Sequence, residues 1–242
     1  SGPKVAVHTY LPVAALLPAG RGAFAKVDGL VDAGFRTFKW KVGVTDAADE
    51  LAMLDDLLAR LPEGAKLRLD ANGAWDRRTA ERWLGRCAGY PVEHVEQPIA
   101  ADARGVEDLL LGLAGDYPTL VALDESLAGS GDLERWVQAG WPGVYVVKPS
   151  LTADLDAALA MLARVGAKVM FSSALETAVG AKTALQAAFA WAGEPANPAR
   201  ALGFGVWPLF TQAHFDGPAA APFIRAGDVA RIDPEAAWTA LS

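Results

Sequence analysis

Residues Phe38-Lys39-Trp40-Lys41-Val42-Gly43 decide how the rest of this chain is read. They close a mostly apolar run that begins near Ala33, and they set two lysines one residue apart. In a strand, residues i and i+2 project to the same face, so Lys39 and Lys41 point the same way. Two like charges that close disfavour each other's ionisation, which lowers an amine's pKa towards a value useful for a general base. Taken alone, K-x-K is a strand edge with two solvated lysines. The reading changes because carboxylates and another lysine recur downstream, each at the end of its own apolar run.

Outward from this strand, Phe35 to Lys41, the chain alternates strand and helix. Before it come a first strand, Val5 to Leu11, and a helix, Ala23 to Ala33, ending at Gly34. After it comes the helix Asp46 to Leu61, with Leu51, Leu54, Leu57 and Leu58 at three- and four-residue spacing. The next strands are Lys66 to Ala71, Val92 to Val95 and Thr119 to Leu123, with helices from Arg77 to Cys87 and Val106 to Ala114. Helices from Asp132 to Gln138, Ala153 to Val165 and Thr177 to Ala192 alternate with strands Gly143 to Val147, Ala167 to Phe171 and Ala201 to Val206. Val229 to Leu241 reads as a short strand and a closing helix. Strands and helices at this spacing argue parallel βαβ units, and eight such strands in 242 residues suit a TIM-type (β/α) barrel. An open doubly wound sheet would carry a glycine-rich phosphate loop after its first strand, and none is present.

The groups that close the strands are Lys41, Asp70, Glu96, Asp124 and Lys148, each about one strand-helix unit from the next. In a barrel the C-terminal strand ends share one rim, where active sites are built. Asp70, Glu96 and Asp124 would converge there, and three buried carboxylates need neutralising. A hard divalent cation with oxygen ligands does this, with Mg²⁺ the expected occupant. Lys41 and Lys148 come from the flanking strands. Singly, Asp70 is a turn former, Glu96 and Lys148 are loop charges, and Asp124 marks a helix start. Together, in register, they make a site.

Composition bounds the partners. With 52% hydrophobic and 21% charged residues the chain reads as one large-cored globular protein. A net charge of -7 gives a nucleic-acid partner no electrostatic support, so the expected partner is a small molecule. No apolar run reaches transmembrane length, and the first residues lack a signal pattern, so no membrane partner is expected. The single Cys87 rules out an internal disulfide and fits a reducing, cytoplasmic compartment. The oligomeric state is not readable. Opening at Ser1 rather than Met reads as a trimmed product or a piece of a longer protein.

Lys39-Trp40-Lys41, Asp70-Ala71-Asn72, Val95-Glu96-Gln97-Pro98, Asp124-Glu125-Ser126 and Lys148-Pro149 together resemble the enolase superfamily, in its muconate-lactonising subgroup. Phe171-Ser172-Ser173-Ala174-Leu175-Glu176-Thr177 is similar to a segment of the o-succinylbenzoate synthases. The resemblance implies a (β/α)7β barrel and dehydration of 2-succinyl-6-hydroxy-2,4-cyclohexadiene-1-carboxylate in menaquinone or phylloquinone biosynthesis. It implies Lys41 as the base that removes the α-proton and later protonates the leaving hydroxyl. It makes Asp70, Glu96 and Asp124 the Mg²⁺ ligands, Lys148 a cation against the ring's other face, and Lys39 a group that sets the pKa of Lys41. Asn72, Ser172 and Ser173 are the implied substrate contacts, with backbone amides near the serines contributing.

Family members also carry an N-terminal α+β capping domain. Nothing before Val5 is long enough to fold as one, so the expectation is a single barrel domain over 1–242 without the cap. Its short C-terminal extension, from about residue 229, would normally lie against that cap. An acid-sugar dehydratase would need a histidine near the seventh strand, where His8, His94 and His214 do not fall. A dipeptide epimerase would show an acid near the eighth strand, and Gly203-Phe204-Gly205-Val206-Trp207 offers none. N-acylamino acid racemisation, muconate cycloisomerisation and an inactive binding barrel stay open.

Overall fold

A computed structural model describes residues 9–129 and 131–240. The sheet contains seven strands in chain order: β2 (Ala15–Leu17), β3 (Thr37–Lys41), β4 (Lys66–Asp70), β5 (Val92–Glu96), β6 (Val121–Leu123), β7 (Val144–Val147) and β8 (Lys168–Phe171). β1 (Tyr10–Pro12) lies outside it, paired antiparallel with β9 (Phe223–Arg225). The chain divides into two compact units, Ala15–Val146 and the residues up to Ala14 together with those from Val147 onward.

In the Ala15–Val146 unit, parallel strands are joined by helices α1 (Gly22–Asp32), α2 (Ala47–Leu58), α3 (Arg77–Cys87), α4 (Val106–Asp116) and α5 (Asp132–Gln138). Local chemistry starts two of them. Asp46 accepts from Ala48 N–H at 2.8 Å ahead of α2, and Asp76 accepts from Thr79 N–H at 2.7 Å ahead of α3. The Thr79 N–H also holds the exposed Asp76 carboxyl below its ordinary pKa. The buried face of α2 is Glu50, Met53, Leu54 and Leu57, a three- and four-residue spacing that turns one stripe to the core. Phe38 and Trp40 from β3 and Leu67 and Leu69 from β4 are fully buried. Trp83 of α3 stacks on Trp75 at 5.1 Å and meets Trp40 edge-on at 6.3 Å. Truncating a tryptophan packed this way costs about 3–5 kcal/mol. Cys87 is buried in α3, and burial pushes its thiol up to about 12, so it stays an unreactive core group.

The other unit holds α6 (Leu155–Arg164), β8, α7 (Ala178–Gly193), α8 (Ala226–Arg231) and α9 (Pro234–Thr239). Its core lies along α7, where Ala178, Ala181, Ala184, Leu185, Ala188, Trp191 and Ala192 are buried and Trp191 meets Phe171 at 6.3 Å.

Three sequence expectations need correcting. Val5 to His8 of the expected first strand lie outside the described residues. The described part pairs with β9, and the first strand of the parallel sheet is instead Ala15–Leu17. Three residues are too few to show an alternation. Ala201 to Val206 is not a regular strand. Leu202 bridges Val13 and Gly203 bridges Ser172, and a Cβ on Gly203 would stand 2.5 Å from Ser172 Oγ, so two residues do an edge strand's pairing. Finally, the described residues from Val229 onward contain helix and no strand. Asp233 accepts from Glu235 N–H at 3.0 Å and Pro234 opens α9, so both positions favour a helix start; Leu241 lies outside the described residues.

Candidate functional site

β3, β4 and β5 pair in parallel so that Lys41 stands opposite Asp70, and Asp70 opposite Glu96. Glu96 in turn pairs with Ala122, which places Asp124 just past the end of the neighbouring strand. Parallel register therefore brings the sequence-predicted groups of this unit to adjacent strand ends. Gly43 ends the Lys41 segment at φ +77, and a Cβ there would meet Ala74 Cβ at 2.8 Å, so only glycine lets this loop pass the β4 loop.

Lys39 sits between two of the carboxylates. Its ammonium is 2.7 Å from Glu96 Oε1 and 2.9 Å from Asp70 Oδ2. Burial alone would lower its pKa, but the Glu96 and Asp70 charges outweigh that and hold it above the ordinary lysine range. Lys39 is thus a fixed positive charge spent first on the carboxylates rather than on its neighbour Lys41.

Lys41 is exposed and donates to Asn72 Oδ1. Asn72 has φ +43, is anchored by its N–H to Asp70 Oδ1 at 3.2 Å, and donates from Nδ2 to Glu125 Oε1 at 2.7 Å. The amide therefore spans from the lysine to a glutamate the sequence reading did not single out. Loop 43–45, which follows Lys41, is held from below by Glu50. Its carboxylate accepts from the N–H groups of Gly43 at 2.7 Å and of Val44 and Thr45 at 3.1 Å each. Glu50 is fully buried, so Glu50→Ala strands three amides and should cost about 3 kcal/mol in urea unfolding. A loss below about 1 kcal/mol would mean water replaces the carboxylate there. A glutamate in the first turn of an amphipathic helix, seven residues after Gly43, was the available signal.

Beneath these groups Arg68 Nε donates to Glu93 Oε2 at 2.6 Å, a buried ion pair. His94 is buried with Nε2 3.8 Å from Glu96 Oε2. Among the described residues, no three His, Cys, Asp or Glu side chains form a ready-made metal-binding group. The donor set nevertheless suits a hard cation. Glu96 Oε2 is a buried anionic oxygen without a hydrogen-bond partner, and Asp70, Glu96 and Asp124 offer only carboxylate oxygens.

The remaining predicted residues belong to the other unit. Lys148 follows β7, and its carbonyl accepts from Leu151 N–H at 2.9 Å and Thr152 Oγ1 at 3.2 Å. Ser172 is buried, with its hydroxyl donating to Gly203 O at 3.3 Å. Ser173 Oγ donates to Glu176 Oε2 at 2.8 Å and accepts from Leu175 N–H at 2.9 Å. The N–H groups of Ser172, Ser173 and Ala174 donate to Val147 O, Gly203 O and Glu176 Oε2. The turn after β8 therefore uses its own amides to hold its shape. What the two serines retain for a ligand is acceptor capacity.

No helix among the described residues is long and apolar enough to cross a membrane. The family model described as "Enolase C-terminal domain-like" matches residues 23–220. An o-succinylbenzoate synthase of Thermosynechococcus vestitus is 44% identical over 211 residues, 83% of this chain and 63% of that protein. A hydrophobic dipeptide epimerase of Roseobacter litoralis is 36% identical over 116 residues, 47% of this chain and 33% of that protein. Among solved structures, o-succinylbenzoate synthase from Thermosynechococcus elongatus BP-1, complexed with Mg in the active site, is similar at TM-score 0.75 and 38% identity. That likeness covers 95% of this chain and 67% of the other. The chain spans less than two thirds of the length of each of these two curated relatives. Its matched residues run from α1 past the turn after β8 and take in every strand-end group named above, and the chain belongs to the enolase C-terminal domain-like family.

Proposed function

We propose that this chain is the barrel domain, residues 1–242, of a cytoplasmic o-succinylbenzoate synthase acting in menaquinone or phylloquinone biosynthesis. The observation that carries the reading is the 44% identity with such an enzyme across 83% of the chain. The row of Lys41, Asp70 and Glu96 on paired strand ends supports it.

In this reading Asp70, Glu96 and Asp124 would hold Mg²⁺, which when bound supplies positive charge beside the substrate carboxylate. The Lys41 amine takes the proton from the carbon α to that carboxylate. The electron pair of the broken C–H bond forms the new ring double bond as the C–O bond to the hydroxyl breaks. Lys41, now an ammonium, gives the proton to the departing hydroxyl on the same face, and water leaves. Asn72 holds the lysine amine through Oδ1 and is itself held by Glu125, so the base moves little between its two tasks. Lys39 offsets part of the negative charge of Glu96 and Asp70. Lys148 serves as a cation, and the serines as acceptors towards the succinyl arm.

The epimerase relative supports a second reading, since an amine beside a carboxylate-bound α-carbon also serves racemisation. One experiment separates them. Protein and Mg²⁺ are incubated with the cyclohexadiene substrate and, separately, with N-succinyl amino acids. Aromatic product absorbance is the expected result. Racemisation alone would replace the dehydratase reading, and neither reaction would overturn both.

A further inference from the structure

Gln97 follows Glu96 directly, and its side chain is fully buried. Its Oε1 accepts from the backbone N–H of Asp124 and from that of Ser126, each at 3.1 Å. Its Nε2 donates to Ser126 Oγ and to Ile99 O, each at 2.8 Å. Its own N–H donates to Ala122 O at 2.8 Å, and its carbonyl accepts from Gly73 N–H at 2.6 Å. Its φ is +39, a conformation that non-glycine residues adopt only when their surroundings insist on it.

These six bonds join the ends of three strands. Gln97 follows Glu96 directly. Gly73 lies in the loop after Asp70, where a Cβ would stand 2.7 Å from Ala100 Cα, so that loop is also packed without slack. Ala122 and Asp124 lie on and just past β6. A carboxamide is the side chain that offers two acceptor lone pairs and two donor hydrogens, and here all four are used. Glutamate would lose the donors, and methionine would lose everything while keeping the volume. A structural core amide needs any four partners. This one chooses the backbone amide of a proposed ligand and the residue two beyond it.

We infer that Gln97 is a positioning residue that sets where Asp124 stands relative to Glu96, and thereby the affinity of the site for a divalent cation. The inference rests on the reading of Asp70, Glu96 and Asp124 as oxygen ligands. Partners that orient metal ligands typically carry about 10–100-fold in metal affinity.

The test uses Mn²⁺ as probe, with free ion counted by its electron paramagnetic resonance signal during titration of the 242-residue chain. Gln97→Met should weaken Mn²⁺ binding by about 10–100-fold while the far-ultraviolet circular dichroism stays that of wild type. A control, Thr119→Val, removes a different buried bond, from Thr119 Oγ1 to Leu84 O at 3.2 Å. It should lower the melting temperature and leave Mn²⁺ affinity unchanged. Wild-type affinity in a folded Gln97→Met, or an equal loss in Thr119→Val, overturns the inference. Where Gln97→Met does not fold, Ser126→Ala takes its place, with a several-fold weaker titration expected and a wild-type titration overturning it. No Mn²⁺ binding by the unmodified chain would overturn the ligand reading itself. Binding that Gln97→Met leaves intact would overturn the positioning role alone.

Discussion

Lys41→Ala should reduce exchange of the substrate α-proton with solvent deuterium by at least about 10²–10⁴-fold, the share a positioned general base contributes. The side chain removed is an exposed amine on Asn72 Oδ1, and it is not a member of the ion pairs that join Lys39 to Asp70 and Glu96. The fold and Mn²⁺ affinity should therefore be those of the unmodified protein. Proton NMR in deuterium oxide reads the exchange before any product forms, which separates loss of the base from loss of a later step. Asn72→Ala should fall between the two, because it leaves the amine in place and removes what holds it. Exchange at the wild-type rate in Lys41→Ala would show that another group takes the proton.

Glu96→Gln should weaken Mn²⁺ binding by more than about 100-fold, beyond what orienting partners carry. The substitution keeps the shape of a fully buried side chain and removes its charge. It takes away the anionic Oε2, which lacks a hydrogen-bond partner in the protein, and half of the negative charge that Lys39 balances. Stability should change little, since a neutral amide also escapes the desolvation cost that a buried carboxylate bears. Lys39 keeps Asp70 at 2.9 Å as counter-ion. Unchanged Mn²⁺ affinity with an intact fold would remove Glu96 from the ligand set.

The strand-end residues were legible because two local rules suffice to find them. An apolar run ends where a polar side chain meets the rim, and successive parallel strands keep one direction. Asp70 and Glu96 are paired in register as those rules require. Other residues had no such signal. Glu50 looked like one more charge on an amphipathic helix, and only the loop 43–45 folding over it shows why it is buried. Ser173 was implied as a substrate contact by the family resemblance of its segment, which carries no information on what its hydroxyl bonds. Its neighbour Glu176 takes that hydrogen within the same turn.

The sequence by itself determined the alternation of strands and helices, the family resemblance, and which charged groups close which strands. Periodicity and strand-end polarity are local properties, written within a few residues. Tertiary structure decided the partners: Lys39 with Glu96 and Asp70, Asn72 between Lys41 and Glu125, Gln97 on the amides of Asp124 and Ser126. It also decided that β1 pairs with β9 near the far end of the chain. Hydrogen bonds and ion pairs form or fail within a few tenths of an ångström. Positions that fine exist only once segments distant in the chain are packed against each other.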